Sequence, residues 1–296
     1  MSPAVARRRA LGRLQLVGCG FFFGLMAVLG RLLATGPARF TPGQLSVVRF
    51  GVGAAASLAV FAVRPSLYRP HNVRLLVTRG LSGGLVVVLY FGALARIPAG
   101  EAGMIYNLFP AIATLLALHL LRERPSLRLW LAILVATLGV GIVLGNGSLQ
   151  LGLGWGEGAA LAAAVFAAVS ANVIRSMRGT DNAPTIFFFF CLAGLPVVLP
   201  FALDPWPGGL VPWALAVAMA LCAFAAQVLM TEAYGSLSVG EAAAWLQLTP
   251  IAQYLIAAAV LSEAVTSIGL LGIGVSVAGV AWATRLGQRA AAVPPP

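Results

Sequence analysis

Six side chains at matched spacing are the first candidates for chemistry. Asn107, Pro110 and Thr114 follow i, i+3, i+7, and Gln247, Pro250 and Tyr254 repeat that spacing 140 residues later. On a helix such positions share one face. A proline removes a backbone N–H and frees a carbonyl. Amides, hydroxyls and freed carbonyls offer reversible hydrogen bonding, so the chemistry is binding along a wet path. The competing reading is helix–helix hydrogen bonding beside a proline kink. Tyr90, Tyr106 and Trp245 supply rings that stack on a flat or apolar group, and Gln227 with Tyr234, at i, i+7, adds a polar stripe. Trp155, Trp206, Trp213 and Trp282 read instead as an interfacial belt. Arg49 stands about a third of the way into its apolar run. Its charge requires a carboxylate, a set of carbonyls or water, so it either holds a substrate carboxylate or pairs with a helix end. Arg31 and Arg79, within about a turn of the interface, are placed to snorkel.

The carboxylates sit elsewhere. Glu123 and Glu263 close their apolar runs just before turns, where they are candidates for a hinge or gate, Glu123 between Arg122 and Arg124. N-capping by Ser126 and Thr266 explains those turns equally well. Glu101, Glu232 and Glu241 also fall near run ends. No acid falls mid-run, which argues for a facilitator rather than a proton-coupled carrier. Covalent chemistry finds no support. Asp181 and Asp204 lie in loops, His71 and His119 have no nucleophile motif beside them, and HExxH is absent. Cys19, Cys191 and Cys222 show no CxxC spacing and read as buried hydrophobes. The chain has no Lys, which removes the ATP-binding P-loop.

The elements that must carry these groups follow from composition. Of 296 residues, 60% are hydrophobic and only 9% charged, against about 25% in soluble domains; mean hydropathy is +0.96. That excludes a soluble enzyme, a disordered chain and a DNA-binding domain, and leaves helices crossing a bilayer. Strands of about ten alternating residues, the mark of a membrane barrel, are not seen. Ten spans are expected, at 14–34, 43–63, 75–95, 101–121, 127–145, 155–175, 184–203, 210–234, 239–261 and 266–284. The Arg-rich start is read as leading into an uncleaved first span. The net charge of +11 is assigned to topology rather than nucleic acid. With the N-terminus cytoplasmic, 14 arginines fall on inside segments and only Arg39 and Arg96 outside, so both termini are placed in the cytoplasm.

The strongest organisational signal is self-similarity. Leu89–Gly141 aligns without gaps on Leu229–Ala281. Gly100-Glu101-Ala102 falls on Gly240-Glu241-Ala242, Pro110 on Pro250, Glu123-x-x-Ser126 on Glu263-x-x-Thr266, and Gly139-Val140 on Gly279-Val280. Each unit holds five spans, and an odd number inverts the second unit, a transporter device. Gly20/Gly24, Gly80/Gly84, Thr137/Gly141 and Gly272/Ser276 add small-xxx-small faces for close contact.

These motifs resemble the drug/metabolite transporter superfamily, EamA-type branch. Pro110…Leu121-Arg122-Glu123-Arg124-Pro125-Ser126…Gly139-Val140 resembles the family's fourth-to-fifth helix motif, and Pro250…Leu261-Ser262-Glu263…Gly279-Val280 its second copy. Thr41-Pro42…Arg49-Phe50 resembles its second-helix motif. Within the family the chain is most similar to the YddG type of amino-acid exporters. The resemblance implies a ten-helix basket exporting metabolites, chiefly amino acids, or foreign compounds.

The expectation is an all-α membrane protein of ten transmembrane helices in two inverted five-helix repeats, 1–146 and 147–286, around a central cavity, followed by a disordered tail over 287–296. Substrate binding is assigned to Arg49, Tyr90, Tyr106, Asn107, Thr114, Gln227, Trp245, Gln247 and Tyr254, and hinge or gating roles to Pro110, Pro250, Glu123 and Glu263. No cofactor, metal or nucleic acid is expected. The partners are a small-molecule substrate and the bilayer of the inner membrane, the protein is a monomer, and the function is export by alternating access. The alternative is a multidrug or other metabolite exporter, with proton coupling as a variant.

Overall fold

The computed structural model describes residues 3–37, 39–94, 96, 103, 105–123, 125–145, 154–261 and 265–292. Its helices are α1 (Pro3–Thr35), α2 (Pro42–Val63), α3 (Val73–Leu94), α4 (Phe109–Leu120), α5 (Leu127–Gly145), α6 (Trp155–Met177), α7 (Ala183–Val198), α8 (Leu210–Ala233), α9 (Val239–Leu246), α10 (Leu248–Leu261) and α11 (Ser267–Ala292). Among the described residues there is no strand, and nine helices are long and apolar enough to cross a membrane, with α9 and α10 together forming one of them. In hydrocarbon, only a helix satisfies its own backbone.

The helix ends show why the spans begin where they do. Thr41 and Gln44 form a capping box on α2: the Gln44 N–H donates to Thr41 Oγ1 (3.3 Å) and the Thr41 N–H to Gln44 Oε1 (3.0 Å). Asn182 accepts from the Thr185 N–H (3.0 Å) to open α7, and Ser238 from the Glu241 N–H (3.2 Å) to open α9. Ser126 and Thr266 act as the sequence suggests, accepting from the N–H groups of Leu129 (3.2 Å) and Gly269 (3.0 Å).

Two boundaries differ from expectation. Helix α1 starts at Pro3, so Arg7, Arg8, Arg9 and Arg13 ride on a helical extension instead of a loop. Helix α11 continues to Ala292, so the tail expected from Gly287 is helical for six more residues; good helix formers such as Gln288, Arg289 and Ala290–Ala292 sustain it.

Packing follows a two-fold pattern. Helix α1 lies against α8 and α10, and its repeat mate α6 lies against α3 and α4. Helix α2 packs on α8 as α7 packs on α3, while α2–α7, α4–α9 and α5–α11 are contacts between mates. Every major contact therefore joins the two halves. At α5–α11 the symmetry reaches single residues. A Cβ added at Gly139 would lie 2.7 Å from the Gly272 carbonyl oxygen, and one at Gly279 would lie 2.8 Å from the Ala132 carbonyl oxygen. Only glycine permits this backbone approach. Gly80 and Gly84 similarly admit α7, and Gly20 and Gly24 admit α10. Leu127, Leu131, Leu134 and Leu138 stay exposed on α5, the surface lipid would cover.

Gly139→Leu and Gly279→Leu are each expected to lower thermal stability in detergent by about 1–3 kcal/mol, the usual cost of overpacking. Gly274→Leu, where an added Cβ meets nothing within 4 Å, is expected to be tolerated in the same unfolding assay.

Candidate functional site

Two of the expected spans are broken, at equivalent places. Residues 103, 105 and 106 are helical, Asn107 and Leu108 form a turn, and α4 begins at Phe109 with Pro110 in its first turn. Gln247 is the turn between α9 and α10, with Pro250 just beyond. The cause is local: a proline lacks an N–H and its ring crowds the carbonyl four residues back. The chain tightens to shorter bonds, Leu108 N–H to the Ile105 carbonyl (3.1 Å) and Gln247 N–H to the Ala244 carbonyl (3.2 Å). Continuous helices over 101–121 and 239–261 are thus corrected to discontinuous ones, for which the paired prolines were the legible signal.

The amides at the breaks are enclosed. Asn107, 7% exposed, donates from Nδ2 to the Gly103 carbonyl (2.7 Å). Gln247, fully buried, donates from Nε2 to Thr137 Oγ1 (2.7 Å), and its Oε1 has no partner. Thr114 Oγ1 donates to the Pro110 carbonyl (2.8 Å). The Tyr254 hydroxyl accepts from the Thr266 N–H (2.9 Å), holding the turn before α11. Asn172, which the sequence reading passed over inside an alanine-rich run, donates from Nδ2 to the carbonyls of Ala113 (2.9 Å) and Ala168 (3.0 Å), tying α6 to α4.

The rings gather on the same side of the bundle as the first break. Tyr90 and Tyr106 lie with centroids 5.0 Å apart, and Tyr106 and Phe109 5.5 Å apart. Trp245 packs beside the main apolar cluster, which includes Tyr234, and both the Trp245 Nε1 and the Tyr234 hydroxyl are buried without a hydrogen-bond partner.

The arginines give the clearest correction. Arg79 does not snorkel. It is 4% exposed, about 9 Å along α3 at 1.5 Å per residue. Its guanidinium lies 4.1 Å from the Phe190 ring centroid and donates to Gln227 Oε1 (3.1 Å) and Ser170 Oγ (3.4 Å). Six residues into α3 is deeper than one turn, and that was the available signal. Arg49 projects from α2 over Phe23 at 5.9 Å, with a buried, unpartnered Nε. Phe50, next to Arg49 on α2, packs against the Phe190 ring of α7 at 4.9 Å, the ring that lies under Arg79. Two surface grooves, near Leu33–Leu215 and Val60–Leu67, are mostly aliphatic, with Arg64 at the second, and include none of these residues.

The bundle end that carries the N-terminus holds a set of ion pairs. Glu241 is 1% exposed and is bound by Arg9 and Arg13, the latter donating from Nη2 at 2.7 Å and Nε at 2.9 Å. Glu123 accepts from Arg175 (3.4 Å) and from the Val239 N–H (3.1 Å), so its partners come from α6 and α9 instead of its neighbour Arg122. Arg122 itself takes a left-handed turn (φ 54), which swings Glu123 across. Arg178 donates to Glu232 (2.8 Å). Glu263 and Arg124 lie outside the described residues. Among the described residues no group of three or more metal-binding side chains occurs.

A profile of the EamA-like transporter family matches residues 10–145 and again 154–285, one match per repeat. Curated relatives of two Pseudomonas aeruginosa strains, each named "Pseudopaline exporter CntI", are 26% identical over 231 residues, covering 75% of this chain and 78% of theirs. A solved structure titled "Crystal structure of protein" superposes with a TM-score of 0.79 at 22% identity, covering 94% of this chain and 98% of its own. It is similar in fold.

Glu241→Gln is expected to leave two arginines without their carboxylate and cost about 3–5 kcal/mol, as when one partner of a buried pair is removed. The readouts are a lower unfolding temperature and faster maleimide labelling of the buried Cys19, in a chain with Cys191 and Cys222 changed to alanine.

Proposed function

Because the chain belongs to the EamA-like transporter family, we propose that it is a secondary transporter exporting small metabolites across the inner membrane, amino acids with aromatic side chains among them. The observation that carries this reading is Arg49. A guanidinium inside a span with no carboxylate beside it among the described residues offers a carboxylate-bearing substrate the partner it lacks. The Tyr90–Tyr106–Phe109 group supplies a surface for a flat or apolar side chain. The broken helices beside it give backbone groups that exchange partners cheaply as the halves move.

The arginine distribution supports placing the N-terminal face, and with it both termini, in the cytoplasm. On that reading the Glu241 and Glu123 ion pairs close the cytoplasmic side. Export then requires them to break while substrate enters from the cytoplasm, and to re-form as the two halves rock and release it outside. No acidic side chain stands in mid-bundle among the described residues, which favours flux driven by the substrate gradient. Since the two halves supply each other's contacts, a monomer suffices. A second reading, export of a different organic metabolite, is favoured by the relatives, whose printed name is that of a pseudopaline exporter.

Purified protein in liposomes preloaded with phenylalanine, tryptophan or methionine is expected to show counterflow that a pH gradient does not change. Arg49→Gln should raise the half-saturating concentration about tenfold or more, the loss of a charged hydrogen bond of about 1.5–3 kcal/mol. Exchange of a lipophilic cation but of no amino acid would move the reading to multidrug export. A fluorescent protein fused after Pro296 should fold and glow in cells; a dark fusion in a folded transporter would reverse the orientation.

A further inference from the structure

The transport reading assigns Arg49 a partner and leaves Arg79 with none of opposite charge. Arg79 is held firmly: Phe190 lies under one face, and Gln227 and Ser170 take one donor from each terminal nitrogen. Ser170 is itself fixed by Ser82 at 2.6 Å. These contacts orient the guanidinium but are all uncharged, and its Nε still lacks a partner. The described carboxylates are committed elsewhere. Glu123 and Glu241 are bound at the N-terminal face, and Glu232 is paired with Arg178. Asp181 accepts from the His71 N–H, Glu157 from the Gly154 N–H, and Asp204 is exposed in a loop.

Both arginines thus stand inside spans beside one aromatic contact: the Arg79 guanidinium lies over the Phe190 ring, and Phe50, next to Arg49 on α2, packs against that same ring at 4.9 Å. Like charges repel, and among the described residues no carboxylate pairs with either. Burying a charge without a counter-charge is among the most costly arrangements in a membrane interior. A single carboxylate answers one of them. The Tyr234 hydroxyl, fully buried and without a partner, is a further donor inside the bundle. The donors present therefore exceed what one carboxylate accepts.

We propose that Arg49 and Arg79 form a two-point anion site and that the preferred transported molecule carries two acidic groups, one for each guanidinium. This deepens the transport reading and rests on it. Arg49 binds the group that any amino acid has. Arg79, oriented by Phe190 and Gln227, selects the second acidic group. Neutral amino acids pass as poorer substrates because they leave Arg79 unanswered.

The test uses the full chain in liposomes, with L-glutamate and 2-aminoadipate as two-acid probes and leucine and phenylalanine as one-acid probes. The two-acid probes are expected to exchange at least tenfold more efficiently. Arg79→Gln should reduce that ratio at least tenfold, while Arg79→Lys, which keeps the charge, should retain most of it. Equal exchange of both classes by the wild-type chain would overturn the proposal, as would an Arg79→Gln variant that slows both classes to the same extent. Binding to the detergent-solubilised wild-type protein, followed by thermal shift, separates the two readings. Two-acid probes that stabilise the protein but do not exchange would keep the anion site and sink the transport reading. An absence of both binding and exchange with every probe would sink both.

Discussion

Neither half of this chain can bury itself, and that constraint governs the rest of the structure. The major helix contacts all cross between the two repeats. In lipid there is little hydrophobic drive to bring helices together, so close packing must do it. The glycines at the α5–α11 contact do this most directly, letting carbonyls of one repeat touch the backbone of the other at mated positions. An assembly of this kind has a seam running through its middle. The seam is where polar groups can be kept from lipid, and where relative movement of the halves changes what is enclosed.

The seam holds the two helix breaks. Each is set by a proline that denies one backbone bond, and each places an amide side chain at the gap. A continuous helix transmits movement along its length, whereas a break lets one end shift while the other stays packed. The ion pairs of Glu123 and Glu241 lie on the segments adjoining those breaks. The ion pairs at the N-terminal end and the two breaks therefore share the same helical segments.

The backbone is nearly two-fold, but the side chains are not. Glu241 meets Arg9 and Arg13, whereas residues 146–174, which open the mate of α1, contain no basic residue to meet Glu101 in the same way. Arg79 corresponds to Met219 under the 140-residue offset, and Thr114 to Tyr254. The frame is symmetric, but the unequal side chains place the Glu241 ion pairs at one end and the Arg79 charge in one half only.

Much of this was legible before any coordinates. The lack of charge fixed the solvent, run length fixed the spans, and Gly, Glu and Pro at one offset revealed the duplication, because each reports a local or additive property. Pro110 and Pro250 even marked the breaks. Partner choice was not legible. Glu123 stands beside Arg122 in the sequence, yet its partners are Arg175 and the Val239 N–H. Arg79 looked like a snorkelling interface residue and was buried under Phe190. Tyr254 shared a helical face with Gln247, yet its hydroxyl went to the Thr266 turn. Each of these depends on groups far away in sequence that only the packing of one repeat against the other brings within hydrogen-bond reach. Sequence alone determined the membrane and the duplication, and its paired prolines marked where the structure breaks two helices. The tertiary structure decided which polar groups are answered and which, like the Nε groups of Arg49 and Arg79, find no partner among the described residues, because satisfaction of a buried charge is a property of its whole surroundings.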